Sequence, residues 1–151
     1  MNTIFIYYSF TGNGDVVAEE LSRSGVTIRK VEAKHSLPKV FLLKMMLGGF
    51  LTLIHHHAKI VNFDSDISDY GRIIIGSPIW DKRLSTPINT VLSRLNLKNK
   101  EVTFVLYSAS GKSLKATKTI KRRYPNARII NLKEPIINEH ELEKLERELD
   151  R

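Results

Sequence analysis

Apolar residues recur along this chain in two rhythms, short continuous runs and stripes at helical spacing. Ile4-Phe5-Ile6 predicts a buried strand, and Val17, Ala18 and Leu21 then mark one face of a helix over 15–22. Alternation through Val26, Ile28, Lys30 and Val31 predicts a half-exposed strand over 26–33. Ile73-Ile74-Ile75, bounded by Gly71 and Gly76, predicts a strand over 70–77 buried on both faces. Pro87 suits a first helical turn, and Ile88, Val91, Leu92 and Leu95 form the stripe that follows. A fourth strand is expected over 101–107, a basic helix over 113–124 ended by Pro125, and a fifth strand over 127–132. Asn138 is expected to cap a last helix whose Leu142, Leu145 and Leu149 face inward.

With a helix in 40–58, five strands alternate with five helices. That pattern predicts an α/β three-layer sandwich, a parallel sheet with helices on both faces and right-handed crossovers. No linker or repeat interrupts residues 1–151, so one domain is expected. Residues 40–54 stand apart. Lys44 is their only charge, and apolar side chains point all round the helix. Gly48-Gly49 interrupts a stretch too short for a convincing membrane span. The segment can cover the sheet and pack under a loop, or offer an apolar face for homodimerisation, membrane-surface contact or covering a ligand.

Charge adds an asymmetry. The net charge is +8, yet residues 139–151 carry six acids against three bases, leaving +11 for the rest. A basic body suits nucleic acid, an anionic membrane or an acidic protein. Lys112, Lys115, Lys118 and Arg122 share a helical face, but no nucleic-acid-binding motif accompanies them, which disfavours nucleic acid. The absence of cysteine excludes disulfides, Cys-ligated metals and a thiol nucleophile, and fits a reducing compartment. The first residues show no export signal, so a cytoplasmic location is expected. His55-His56-His57 do not share a helical face, and no metal site is expected. Ser110-Gly111-Lys112-Ser113 imitates a P-loop, but the required glycine position is Leu106, inside a strand.

Ligands of open parallel sheets sit outside the carboxyl ends of the strands. Three loops leave such ends: 9–14, 77–83 and 108–112. In the first, Ser9, Thr11 and Asn13 add side-chain donors to a glycine-rich turn before a helix. That suits a phosphate, and equally an ordinary capped turn. The second carries Trp80, the only tryptophan, which can stack on a planar ring or pack against the core.

Ser9-Phe10-Thr11-Gly12-Asn13-Gly14 resembles the phosphate loop of the flavodoxin family. Ile74-Ile75-Gly76-Ser77-Pro78-Ile79-Trp80 is similar to that family's second, ring-holding loop, and Tyr107-Ser108-Ala109-Ser110-Gly111 resembles its third. The resemblance covers the chain in order. It implies strand order 2-1-3-4-5 and noncovalent FMN at the switch point. On matching positions it implies that Ser9, Thr11, Gly12, Asn13 and Gly14 hold the phosphate. Phe10, Ser77, Pro78, Ile79, Trp80 and Asp81 would border the ring on one side, and Ser108, Ala109, Ser110 and Gly111 on the other. Gly14 departs from the family's threonine, and Lys82, Arg83 and Lys112 depart from the acidic surroundings common in carriers. The basic surface implies redox partners with acidic docking faces. An electron carrier with no catalytic residue of its own is preferred to an FMN-dependent NAD(P)H or quinone reductase, and both to a flavin-free basic binding domain.

Overall fold

The computed structural model describes residues 1–33 and 59–150. The expected helix in 40–58, the apolar segment 40–54 and the three consecutive histidines lie outside them. The elements are β1 (Thr3–Tyr7), α1 (Asn13–Arg23), β2 (Thr27–Lys30), β3 (Arg72–Trp80), β4 (Arg83–Leu84), α2 (Thr86–Arg94), β5 (Glu101–Ser108), α3 (Leu114–Arg123), β6 (Arg128–Lys133) and α4 (His140–Leu149). Five parallel strands run in the order β2-β1-β3-β5-β6. This is the expected 2-1-3-4-5 order, with the antiparallel two-residue strand β4 added beside β3.

Strand side chains alternate between two helical layers, as the pleat requires. Ile4, Ile6, Ile73, Ile75, Phe104 and Leu106 face Ile88, Val91 and Leu92 of α2 and Ala116 and Ile120 of α3. Phe5, Tyr7, Ile74, Val105, Tyr107, Ile130 and Leu132 face Val17, Ala18 and Leu21 of α1 and Leu145 of α4. Each fully buried Ile, Leu or Phe contributes about 1.5–3 kcal/mol.

Three boundaries differ from the sequence expectation. Strand β3 runs on to Trp80 because Ile79 pairs with Leu84 and Trp80 with Arg83 in a hairpin. Its two turn residues, Asp81 and Lys82, have φ of 44° and 65°, as a type I′ turn demands. Strand β2 is confined to four residues, although Val31 N–H still donates to Tyr7 O at 2.7 Å. Asn138 does not cap the last helix. Its amide donates to the carbonyls of Lys133 (2.8 Å) and Glu134 (3.3 Å), and α4 begins at His140 after Glu139.

At the amino ends of β3, β5 and β6 lies a cavity of about 530 Å³, lined among others by Arg72, Lys100, Arg123, Tyr124 and Arg128. Lys100 Nζ donates to the carbonyls of Ile67 and Ser68 at 3.1 Å and Tyr70 at 2.6 Å. Arg72 Nε reaches Glu101 at 3.2 Å, and Arg128 donates to the carbonyl of Glu148.

Candidate functional site

At the other end of the sheet the chain leaves β1 at Tyr7, and Tyr8 N–H is still held by Gly76 O at 3.1 Å. The turn then reaches Gly12, whose φ of 94° is left-handed and favours glycine. Gly12 caps α1 without a side chain, so the cap residue supplies no side-chain oxygen to the first-turn N–H groups of the helix. Its Cβ-less face also admits the fourth loop, since a Cβ there would stand 2.7 Å from Ile136 Cδ1.

Asn13 organises the loop. Its Oδ1 accepts the Ile136 N–H at 3.1 Å, which fixes the amide so that Nδ2 donates to Thr11 Oγ1 at 3.0 Å. Thr11 Oγ1 is thereby used as an acceptor, and its O–H is left to donate outward. Ser9 Oγ is buried and makes no hydrogen bond of acceptable geometry among the described residues. It lies near enough to Asp15 to help depress that carboxyl. Gly14 is buried, and a Cβ on it would stand 2.5 Å from Tyr107 Oη, 2.8 Å from the Tyr7 ring and 3.0 Å from Ser9 Cβ. The departure from threonine therefore follows from two tyrosines crowding the helix start.

Those tyrosines belong to a polar network under the loop. Tyr7 Oη donates to Asp15 Oδ1 at 2.9 Å, and Lys30 Nζ meets the same oxygen at 2.7 Å. Burial opposes ionisation of Asp15, but the hydrogen bonds from Lys30 and Tyr7, with the Ser9 hydroxyl nearby, outweigh it and hold the carboxyl below its ordinary range. Burial, then the Asp15 hydrogen bond and charge, push the Tyr7 phenol well up. Tyr107 is fully buried, its phenol pushed up by that burial, and it donates to Tyr8 O.

The second loop is the β3–β4 hairpin. Tyr8 and Phe10 meet Trp80 edge-on, with ring centroids 5.7 and 6.3 Å away. The indole is half-buried, and its Nε1 is buried without a partner among the described residues. Ile79 is half-buried and Asp81 exposed. Ser77 and Pro78 are buried in the strand. Ser77 Oγ donates to Pro78 O at 2.8 Å and accepts Ser85 N–H at 3.1 Å, so its hydroxyl braces the turn into α2.

The third loop closes on itself. Gly111 (φ 65°) donates to Ser108 O at 3.3 Å, Ser110 Oγ bonds both backbone groups of Lys112, and Ala109 is exposed. A Cβ on Gly111 would lie 2.9 Å from Lys133 Cβ. Glu134 N–H donates to Ser108 O at 3.1 Å, tying in the loop after β6. That fourth loop, with Ile136 and Ile137 exposed, was not among the three picked out in the sequence. The signal was available, because it too leaves the carboxyl end of a strand.

The carboxyl ends thus gather an uncapped helix start, two hydroxyls with donating capacity and an aromatic wall. Such a set can hold an anion and a flat ring. Among the described residues no three His, Cys, Asp or Glu side chains stand close enough to hold a metal ion, and no helix is long and apolar enough to cross a membrane.

No curated protein matches the sequence. A protein of Bacteroides eggerthii assigned as a flavoprotein has the same fold at TM-score 0.72 and 22% identity, covering 90% of this chain and 92% of that one. A second, from Bacteroides uniformis, gives 0.72 and 20% over 96% and 97%. A Lactobacillus acidophilus flavoprotein in complex with FMN gives 0.59 and 22% over 85% and 89%. A family model described as flavodoxin matches residues 54–148, which takes in the second and third loops and leaves the first to be judged on its geometry. More than half of the sequence lies within that match, and the chain belongs to the flavodoxin family.

Proposed function

We propose that this protein binds FMN noncovalently at the carboxyl ends of β1, β3 and β5 and serves as an electron carrier between redox partners. The observation that carries the reading is a pair of buried polar atoms that find no hydrogen-bond partner among the described residues. Ser9 Oγ lies beside the uncapped start of α1, and Trp80 Nε1 lies in the aromatic wall next to it. Buried polar groups are ordinarily paired, so both are fitted to a ligand. The FMN complex of the Lactobacillus acidophilus protein of similar fold supports the same choice.

The N–H groups at the start of α1 and the hydroxyls of Ser9 and Thr11 would hold the phosphate, with Gly12, Asn13 and Gly14 setting the loop's curvature. Phe10, Ile79, Trp80 and Asp81 would border the ring on one side, with Ser77 and Pro78 as the rigid base. Ser108, Ala109, Ser110 and Gly111 would border it on the other. FMN, when bound, supplies one- or two-electron chemistry. The chain's own task is to bind, orient and shield it.

The test is a titration of the stripped protein with FMN and with riboflavin, followed by Trp80 emission. FMN is expected to bind near 1:1 and to quench the single tryptophan. Riboflavin should bind more weakly by several charge-assisted hydrogen bonds, at about 1.5–3 kcal/mol each. Equal affinity for the two flavins refutes the phosphate assignment, and unchanged emission removes Trp80 from the ring. A carrier is also expected to show no NAD(P)H turnover without an added reductase.

A further inference from the structure

We infer that the face formed by the β3–β4 hairpin and helix α3 docks an acidic redox-partner protein, an inference that rests on the flavin reading above. The two helical layers carry opposite charge. Helix α3 holds Lys115, Lys118, Lys121, Arg122 and Arg123, and neither α2 nor α3 has a carboxylate. Across the sheet, α1 carries Asp15, Glu19 and Glu20, and α4 carries Glu141, Glu143, Glu146 and Glu148. Between hairpin and helix runs a groove of about 500 Å³ lined by Arg83, Leu84, Asn89, Lys115, Ala116 and Lys118, among others. It adjoins the proposed flavin edge directly, because Arg83 is the cross-strand partner of Trp80.

Two further features point to a protein as the occupant. Leu114, at the start of α3 and one turn from Lys118, is 75% exposed. An apolar anchor within a charged rim is the composition of a protein–protein interface. Lys112, Lys115 and Lys118 make no ion pair among the described residues, whereas Lys100 and Lys121 are consumed by backbone carbonyls. Helix α3 presents no aromatic side chain on which a nucleic-acid base could stack.

The probe is cytochrome c in two forms, native and basic or fully succinylated and acidic. Each is titrated into isotope-labelled protein, with FMN bound and after its removal, while amide shifts are followed. The succinylated form is expected to shift the hairpin and α3, and to weaken about tenfold from low to physiological salt. Lys115→Glu with Lys118→Glu should weaken it by about tenfold or more. The remote pair Lys98→Glu with Arg147→Glu makes the same change in net charge and should leave the affinity within about twofold. Equal loss in both double variants overturns the proposal, since net charge alone would then account for binding. Shifts on this face from native cytochrome c, or tighter binding there by a mixed-sequence DNA duplex, overturn it as well. Docking by the flavin-free chain together with failure to bind FMN supports the face and refutes the flavin reading. FMN binding without these shifts does the reverse.

Discussion

At the amino ends of the strands the cations are consumed by the fold. Lys100 closes three carbonyls, Arg72 takes Glu101, and Arg128 takes a carbonyl of α4. At the carboxyl ends, Ser9 Oγ and Trp80 Nε1 are buried without partners among the described residues, and the cap residue of α1 is a glycine with no side chain. The amino end has a cavity of about 530 Å³, yet Lys100, Arg72 and Arg128 there already have partners in the fold. The carboxyl end keeps its hydrogen-bonding capacity unspent. On the proposed reading, the site is marked by unused donors beside shape rather than by volume alone.

The largest expected effect comes from forcing the family's residue into the ligand end. Gly14→Thr nominally restores a hydroxyl donor, but its Cβ would press on Tyr107, Tyr7 and Ser9. Overpacking of this kind costs about 1–3 kcal/mol, and the upper part of that range is expected against two buried rings. A urea midpoint that falls, with FMN affinity falling too, supports this account. A variant as stable as the parent and tighter for FMN would show that the glycine is not required by packing.

Lys100→Met should separate the two ends. It frees three carbonyls and is expected to cost about 1–2 kcal/mol of stability. FMN affinity of the folded variant should stay unchanged, since the loops lie at the opposite end. A loss of affinity at temperatures where the variant is fully folded would mean that the ends are coupled.

The smallest effect belongs to Asp15. Its folded pKa lies below the ordinary 3.8, so its contribution is present above that value and is lost as pH falls through the lower, folded one. Asp15→Asn should flatten the acid limb of the stability curve below about pH 4. At neutral pH the loss should be only about 0.2–1 kcal/mol, because the pair with Lys30 is half-exposed. An acid limb identical to the parent's would place the acid-sensitive groups elsewhere.

The sheet was legible in the sequence because Ile4-Phe5-Ile6 and Ile73-Ile74-Ile75 must be covered on both faces, and only a central parallel strand offers that. The hairpin was not. Asp81-Lys82 adopts left-handed backbone without the Asn-Gly or Asp-Gly signature that announces such a turn, so residues 77–83 read as a loop. The Gly14 departure from the family's threonine is visible in the sequence, but only the positions of Tyr7 and Tyr107 show what a Cβ there would meet. Asn138 carried a capping residue's chemistry, but nearby carbonyls of Lys133 and Glu134 claimed its amide. The Asn13–Ile136 bond was out of reach for a different reason, since nothing local to either residue announces a partner 123 positions away.

That bond orders events during synthesis. The turn after β1 leaves the ribosome early, yet the backbone group that fixes the Asn13 amide is added 123 residues later. At about 5–20 residues per second, the nascent chain spends roughly 6–25 s with the first strand made and the loop's tether not yet translated. Over that interval the Thr11 hydroxyl has no fixed amide to orient it. On the proposed reading, loading of the FMN phosphate is therefore expected to be a late event, tied to completion of the last strand and the loop behind it.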